Sequence, residues 1–445
     1  MPPWPSTRSP TTRSPTPTIT RPAAPREERT STVPAFTFPG QGSQRPGMGR
    51  PWTDHPSWEV VAEASALSGR DVGRLLLDAG QEELTRTDNA QLATFVLCMV
   101  VLDAVERVGI EPSVCAGHSL GEYSALVSSG ALAFEDGVRL VVERGEAMHD
   151  AAEEQPGTMA AVLGADDDTV EAACQRAEGE VWVANYNAPG QVVIAGTVDS
   201  VEAASALAKE LGARKAMSMA VGGAFHTALM APARARLRKA LSDTNFTDTD
   251  TPVVANVDAR AHRRGSDWPS LLSAQLCSPV RWRQSLEAIG GLGGEPIVEL
   301  GPGGVLAGLA RRTLPSATAL AVQKPQDIDE LVAVLAGKEV GAGAHEGHHG
   351  ERLTTSVRLV VSPAAGLFQP AELFVPSPGA RLRGQQAAGE AAGTPVEVGA
   401  LLGTVGAVEV RTPFAGQLAG FLALAGERLA AGQPVAWLRV ERTGE

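Results

Sequence analysis

Apolar side chains recur at three- and four-residue spacing across residues 88–108, at Leu92, Phe95, Val96, Met99, Val100, Leu102 and Val105. That period predicts a helix packed by one face against a sheet. Residues 135–148 repeat the pattern, with Val138, Leu140, Val141 and Val142 on or near the buried stripe and Arg139, Glu143 and Arg144 among them. Short apolar runs closed by polar or turn residues read as strands: 35–38, 114–116, 253–255 and 297–300. The last runs through Gly301-Pro302-Gly303-Gly304 into a helix from Val305. Between about 157 and 221 the pieces are shorter: a strand at 158–163, a helix at 167–176, paired strands at 181–187 and 191–195, a helix at 201–211 and a strand at 213–219. This β-α-β-β-α-β order predicts a ferredoxin-like subdomain inserted in a larger α/β one.

The flanks have a different texture. Residues 1–33 carry Arg8, Arg13, Arg21, Arg26 and Arg29 among Pro, Ser and Thr. Such a segment buries too little apolar surface to offset its chain entropy and reads as a disordered tail. Residues 337–351 are glycine-rich and hold His345, His348 and His349; with no cysteine or carboxylate cage beside them they read as a solvated linker, not a metal site. Beyond it, 352–442 is a run of short strands with an internal repeat. Ser362-Pro363-Ala364-Ala365-Gly366-Leu367 echoes Thr412-Pro413-Phe414-Ala415-Gly416-Gln417, and 379–385 echoes 426–433 with one residue added. Two similar halves predict a pseudo-two-fold β-sandwich. The organisation expected is therefore a tail (1–33), an α/β domain (34–336, inserted subdomain about 154–221), a linker (337–351) and an all-β domain (352–442).

Composition narrows the function classes. The 445 residues include 43% hydrophobic and 20% charged side chains, ordinary for a protein with a sizeable core. A net charge of −13 argues against nucleic acid as partner. Cys98, Cys115, Cys174 and Cys277 are far apart and in no C-x-x-C pattern, which points to reduced thiols and a cytoplasmic location. No window is expected to reach the apolar length of a membrane span, and residues 1–32 lack the apolar core of a signal peptide.

Candidate chemistry centres on Gly117-His118-Ser119-Leu120-Gly121, set between the apolar run 114–116 and the helix-like 122–127. Strand, sharp turn, helix is the context of a nucleophile elbow. In a chain with 48 glycines the pentapeptide also fits an ordinary Gly/Ser turn. A serine nucleophile needs a base, and eight histidines are available. His118 adjoins the serine, and consecutive elbow residues point apart; His55 precedes Pro56, His149 ends a helix, and His262 lies in a polar loop. His226 stands in the glycine loop 221–226, between a strand and a helix, where a structural histidine also fits. The loop Pro39-Gly40-Gln41-Gly42-Ser43-Gln44 is no P-loop, because it lacks the Gly-Lys-Ser/Thr ending.

Five blocks together carry a resemblance. Residues 38–44, 117–122, 185–193, 223–226 and 299–306 resemble, in order, the signature blocks of malonyl-CoA:acyl-carrier-protein transacylases, over about 35–323. The resemblance implies an α/β fold with a hydrolase-like parallel sheet, and transfer of malonyl from coenzyme A to the phosphopantetheine thiol of an acyl carrier protein, in fatty-acid or polyketide synthesis. It implies Ser119 as nucleophile and His226 as base, with the backbone N–H groups of Gln41 and Leu120 as oxyanion hole. Gln275 would orient the histidine through its carbonyl, and Arg144 would grip the malonyl carboxylate, as a planar guanidinium suits. Phe225 would fill the space of a 2-methyl group. The family uses no metal or cofactor, and its partners are malonyl-CoA and the carrier, not nucleic acid or membrane. The sequence departs at Gly222-Gly223, where a serine or other small polar residue is expected nearby. Carrier docking would need a local basic patch, for which Arg311-Arg312 or Arg281 and Arg283 are candidates.

The 352–442 region resembles biotinyl or lipoyl carrier domains, whose attachment lysine sits in a hairpin. The matching stretch is 402–410, and no lysine follows Lys338. Two other readings stand beside the transferase. A serine esterase or thioesterase shares the elbow but has no use for Arg144. A malonate-decarboxylase-type or scaffold protein would have the β-domain, docking a partner, as its working part.

Overall fold

The computed structural model describes residues 33–219 and 221–336, and beyond them 357–371, 394–412, 415–421, 423, 425–426, 428–429 and 434–439. The tail up to residue 32, the whole of the linker 337–351 with its three histidines, and the repeat segment 379–385 lie outside the described residues.

The larger α/β part is built on six strands in the order Ala319–Val322, Ile297–Leu300, Ala35–Phe38, Val114–Gly117, Val253–Val254, Ala261–His262. The first five run parallel and the last antiparallel. Parallel strands covered by helices on both faces need apolar side chains on both. Ala35–Phe38, Val114–Gly117 and Ile297–Leu300 are accordingly buried at every position. His262, expected in a loop, belongs to the short antiparallel edge strand and is flanked by Asp258 and Asp267 at 3.1 and 3.2 Å.

Helices Thr87–Glu106 and Phe134–Glu154 pack on one another behind this sheet. The first corrects the expectation that no window has the apolar length of a membrane span: an 18-residue stretch of it has a mean hydropathy of 1.5. It is 94% buried inside the protein, and a helix surrounded by core on all sides is apolar all round for the same reason as one surrounded by lipid. The second helix runs six residues past the end of its predicted stripe, so His149 lies within it, 3.6 Å from Glu153 one turn on.

Residues 158–218 form a four-stranded antiparallel sheet ordered Val181–Ala188, Gln191–Gly196, Thr158–Leu163, Lys215–Ser218, with helices Asp167–Arg176 and Val198–Glu210. This is the β-α-β-β-α-β order with the strand arrangement of a ferredoxin-like unit. Strand alternation divides its residues between two environments. Ala160, Val162, Val192 and Ile194 share a core with Val170 and Ala173 of one helix and Val201 and Ala204 of the other. Met159, Ala161 and Val193 turn the opposite way, into a cleft facing the elbow.

The described C-terminal residues form two four-stranded sheets. One is Val357–Val361, Pro434–Arg439, Gly416–Phe421, Thr394–Val396; the other is Val408–Arg411, Leu401–Val405, Gly366–Pro370, Arg428–Leu429. Val360, Phe368, Leu402, Val405, Leu418 and Leu438 are among the residues of their common core. The repeated strings enter strands at corresponding glycines, Gly366 and Gly416, one in each sheet.

Candidate active site

The elbow's glycines are dictated by space. A Cβ on Gly117 would lie 1.9 Å from the Gly121 carbonyl, and one on Gly121 would lie 2.0 Å from the Phe38 carbonyl oxygen. The turn they permit puts Ser119 at φ 54, left-handed for a residue with a side chain, and such strain persists only where the surroundings over-determine it. Asn256, just past strand Val253–Val254, supplies much of that constraint. Its Oδ1 accepts from Ser119 N at 2.7 Å, and its Nδ2 donates to Gly117 O at 2.7 Å.

Ser119 Oγ lies 2.7 Å from His226 Nε2. His226, also left-handed at φ 64, has Nδ1 2.9 Å from the Gln275 carbonyl oxygen. A carbonyl only accepts, so Nδ1 carries the ring proton and Nε2 is left to accept from the serine hydroxyl. Burial, chiefly, pulls the His226 pKa down to about 3; the Gln275 carbonyl opposes this, while Arg144 and His118 add to it. The ring is therefore neutral at physiological pH.

Arg144 comes from helix Phe134–Glu154 and is 1% exposed. Its Nη1 donates to Gln91 Oε1 at 2.6 Å, and its Nη2 to Ser119 Oγ and Gln275 Oε1, each at 3.0 Å. The guanidinium lies 5.6 Å from the Tyr123 ring centre. Among the described residues its Nε has no hydrogen-bond partner of good geometry, and the buried Tyr123 hydroxyl lies close enough to act on the guanidinium. Among the described residues no carboxylate is paired with it. The acids beside it in sequence point elsewhere: Glu143, Glu146 and Asp150 all bind Arg236, at 2.7, 2.8 and 2.8 Å.

A cavity of about 260 Å³ opens over the serine. Gly40–Ser43, His118, Phe225 and His226 form part of its wall, Met159, Ala161, Asn185 and Asn187 another part, and Val305 and Leu306 close it. Residues from all five sequence blocks thus meet here. His118 Nε2 is 2.9 Å from Asn187 Oδ1, so this histidine ties the elbow to the small sheet and not to the serine. With Ser119 N taken by Asn256, the amides of Gln41 and Leu120 remain; among the described residues neither has a hydrogen-bond partner. Gly223 shows why no serine stands there: a Cβ would lie 2.8 Å from Ala152 Cβ and 3.0 Å from the Phe225 ring.

The acyl transferase domain family model matches residues 35–338, the span that holds every one of these groups. Malonyl CoA-acyl carrier protein transacylase of Bacillus subtilis strain 168 is 40% identical over 306 residues, covering 68% of this chain and 96% of that protein. The Escherichia coli K12 protein of the same name is 42% identical over 296 residues, 65% and 96% of the two chains. This chain belongs to the malonyl-CoA:acyl-carrier-protein transacylase family.

The likeness extends to solved transacylase folds. An acyl carrier protein S-malonyltransferase from Vibrio cholerae matches with TM-score 0.64 at 39% identity, covering 67% of this chain and 99% of that one. A malonyl-transacylase in complex with a type II polyketide acyl carrier protein matches with TM-score 0.66 at 37% identity, over 69% and 100%.

Within this transacylase frame, several polar groups carry contacts that their sequence positions alone did not reveal. Gln91 is a buried polar residue inside an apolar helix, Asn256 lies two residues past strand Val253–Val254, and Glu122 is a charge in the first turn of the elbow helix. For Gln91 the available signal was a polar residue where the pattern demands an apolar one; Asn256 and Glu122 break no such pattern. The basic residues considered for carrier docking are partly engaged already. Arg283 pairs with Asp167 at 2.6 Å, Arg311 donates to Ala319 O at 2.7 Å, and Arg312 reaches Gln191 and Pro189 O.

Proposed function

We propose that this chain transfers malonyl from coenzyme A to an acyl carrier protein through a malonyl ester on Ser119. The observation that carries the reading is Arg144: a fully enclosed cation 3.0 Å from Ser119 Oγ that, among the described residues, is in direct contact with no carboxylate. Burying a lone charge is costly unless something of opposite sign meets it, and the free carboxylate of a malonyl group would do so. An esterase for neutral acyl groups gains nothing from such a group.

In the first half-reaction the Ser119 hydroxyl passes its proton to His226 Nε2 as Oγ attacks the thioester carbonyl. The tetrahedral oxyanion is held by the Gln41 and Leu120 amides, donors of the kind that strengthen as charge develops. The C–S bond then breaks, His226 returns the proton to the departing thiolate, and coenzyme A leaves. The carrier's phosphopantetheine thiol repeats the sequence in reverse, giving the malonyl thioester and restoring the serine. Gln275 holds the imidazole through its carbonyl, Arg144 holds the carboxylate, and the Phe225 ring occupies space beside the acyl group.

The C-terminal sheets support a biotinyl/lipoyl-like sandwich in which hairpin 401–411 turns at Gly406, φ 60, and Ala407. With no lysine after Lys338, we read it as a docking module with no attached cofactor. Four free cysteines, three of them buried, fit the cytoplasm. Incubating the protein with malonyl-CoA and measuring its intact mass tests the chemistry. A malonyl adduct is expected on the native chain and none on Ser119→Ala, a loss of ~10⁴-fold or more. An undiminished adduct on the alanine variant would place the nucleophile elsewhere.

A further inference from the structure

One buried ionisable group beside the serine takes no part in those steps. Glu122, in the first turn of helix Gly121–Ser128, is 1% exposed. Its Oε1 accepts from Asn256 N at 2.6 Å and its Oε2 from Gln275 Nε2 at 2.6 Å. An ionised carboxylate only accepts, so both groups facing it must be donors. That settles which way round the Gln275 amide lies. Its Nε2 also donates to Ser119 O at 2.8 Å, and its Oε1 is then the atom left to receive Arg144 Nη2 at 3.0 Å. Turning the amide over would set its NH₂ against the guanidinium and its oxygen against a carboxylate and a carbonyl.

We propose that Glu122 is a positioning residue for recognition of the substrate carboxylate: by accepting from Gln275 it locks that amide with its oxygen toward Arg144, and so fixes the aim of the guanidinium. This rests on the reading of Arg144 as the carboxylate's partner. The guanidinium is held by Gln91 through Nη1 and by Gln275 and Ser119 through Nη2. Losing the Gln275 acceptor leaves Nη2 bound to the nucleophile alone, where it competes with the incoming acyl group.

Glu122→Gln keeps the size and shape but offers one acceptor and one donor. If its oxygen faces Asn256 N, its NH₂ faces Gln275 and the amide must turn; facing the other way, it confronts a backbone N–H with another donor. Protonation does the same in the native protein. Burial is the largest influence and pushes the Glu122 carboxyl up to about 7, with Asn256, Gln275 and Arg144 pulling it down and Asp258 pushing it further up. Arg144, on the helix packed beside it, keeps its charge throughout. Titration of His226 enters the rates with every acyl group and cancels in a ratio.

Self-acylation rates with malonyl-CoA and with acetyl-CoA, read by intact mass, test the proposal on the full chain. In Glu122→Gln the malonyl-to-acetyl ratio should fall about ten-fold or more, the size of one charge-assisted contact. A residue that merely supports the fold would lower both rates alike. In the native protein the ratio should fall as pH is lowered from about 8 to about 6, which decides the matter even if the variant does not fold. A ratio unchanged in the folded variant, or flat across that pH range, overturns the role of Glu122. Arg144→Ala, run alongside, separates the two readings. If it leaves the ratio intact, the assignment of Arg144 itself fails. If it collapses the ratio while Glu122→Gln does not, only Glu122's role fails.

Discussion

Replacing Arg144 by alanine should convert a malonyl-selective site into one that is indifferent to the carboxylate or prefers its absence. In the free site the guanidinium spends three N–H groups on Gln91, Gln275 and the Ser119 hydroxyl. Among the described residues its Nε–H has no hydrogen-bond partner of good geometry. A carboxylate that reaches the guanidinium can displace the serine from Nη2. Charge-assisted hydrogen bonds contribute about 1.5–3 kcal/mol net, so the malonyl-to-acetyl specificity ratio should fall roughly 10- to 150-fold. The acetyl rate should hold or rise, because Oγ is released from the guanidinium and His226 loses a neighbour that lowers its basicity. Arg144→Lys should lie between the two: it keeps the charge and loses the planar fork that reaches Gln91 and Gln275 together. The assay is competition between malonyl-CoA and acetyl-CoA for self-acylation, resolved by intact mass over a time course, with thermal melts to confirm folding. Equal losses for both thioesters would refute the reasoning and make Arg144 a structural group.

Phe225 borders the cavity and is 5% exposed. Phe225→Ser should admit methylmalonyl-CoA by an effect of ~1–3 kcal/mol, and an unchanged malonyl-to-methylmalonyl ratio would place that selectivity elsewhere. The C-terminal domain should carry no biotin or lipoate, since both are joined through a lysine amine; a streptavidin-positive band would overturn this. Cutting the chain near Gly341 should leave self-malonylation at its full rate and slow transfer to the protein's own carrier, because tethered docking acts by raising effective concentration. Collapse of self-malonylation would show the domain to be part of the transferase's structure.

Much of this molecule could be read from local signals. Short apolar runs and a 3.6-residue period marked the strands and helices of the ferredoxin-like unit to within a few residues: Gln191–Gly196 is apolar on both buried faces, and Asp167–Arg176 buries only Val170, Ala173 and Cys174. The elbow was legible for a steric reason written into two residues: only glycine fits at 117 and 121. Boundaries were less legible. Helix Phe134–Glu154 outran its stripe, since a helix ends where packing and capping stop supporting it, not where apolar residues stop. The all-round burial of Thr87–Glu106 made its composition ambiguous between protein core and lipid, and only the surrounding helices decide that.

What tertiary structure alone settled is the polar relay under Ser119. Gln91, Ser119, Glu122, Arg144, Asn256 and Gln275 are separated by up to 184 positions in the chain, yet adjacent members meet at 2.6 to 3.0 Å. Sequence pattern reports whether a side chain faces core or solvent. It does not report which other buried polar group it meets there, because that depends on where separate helices and strands are stacked. The donor and acceptor order of the relay, and with it the aim of Arg144, therefore exists only once the sheet, the elbow helix and the helix Trp268–Gln275 are packed together.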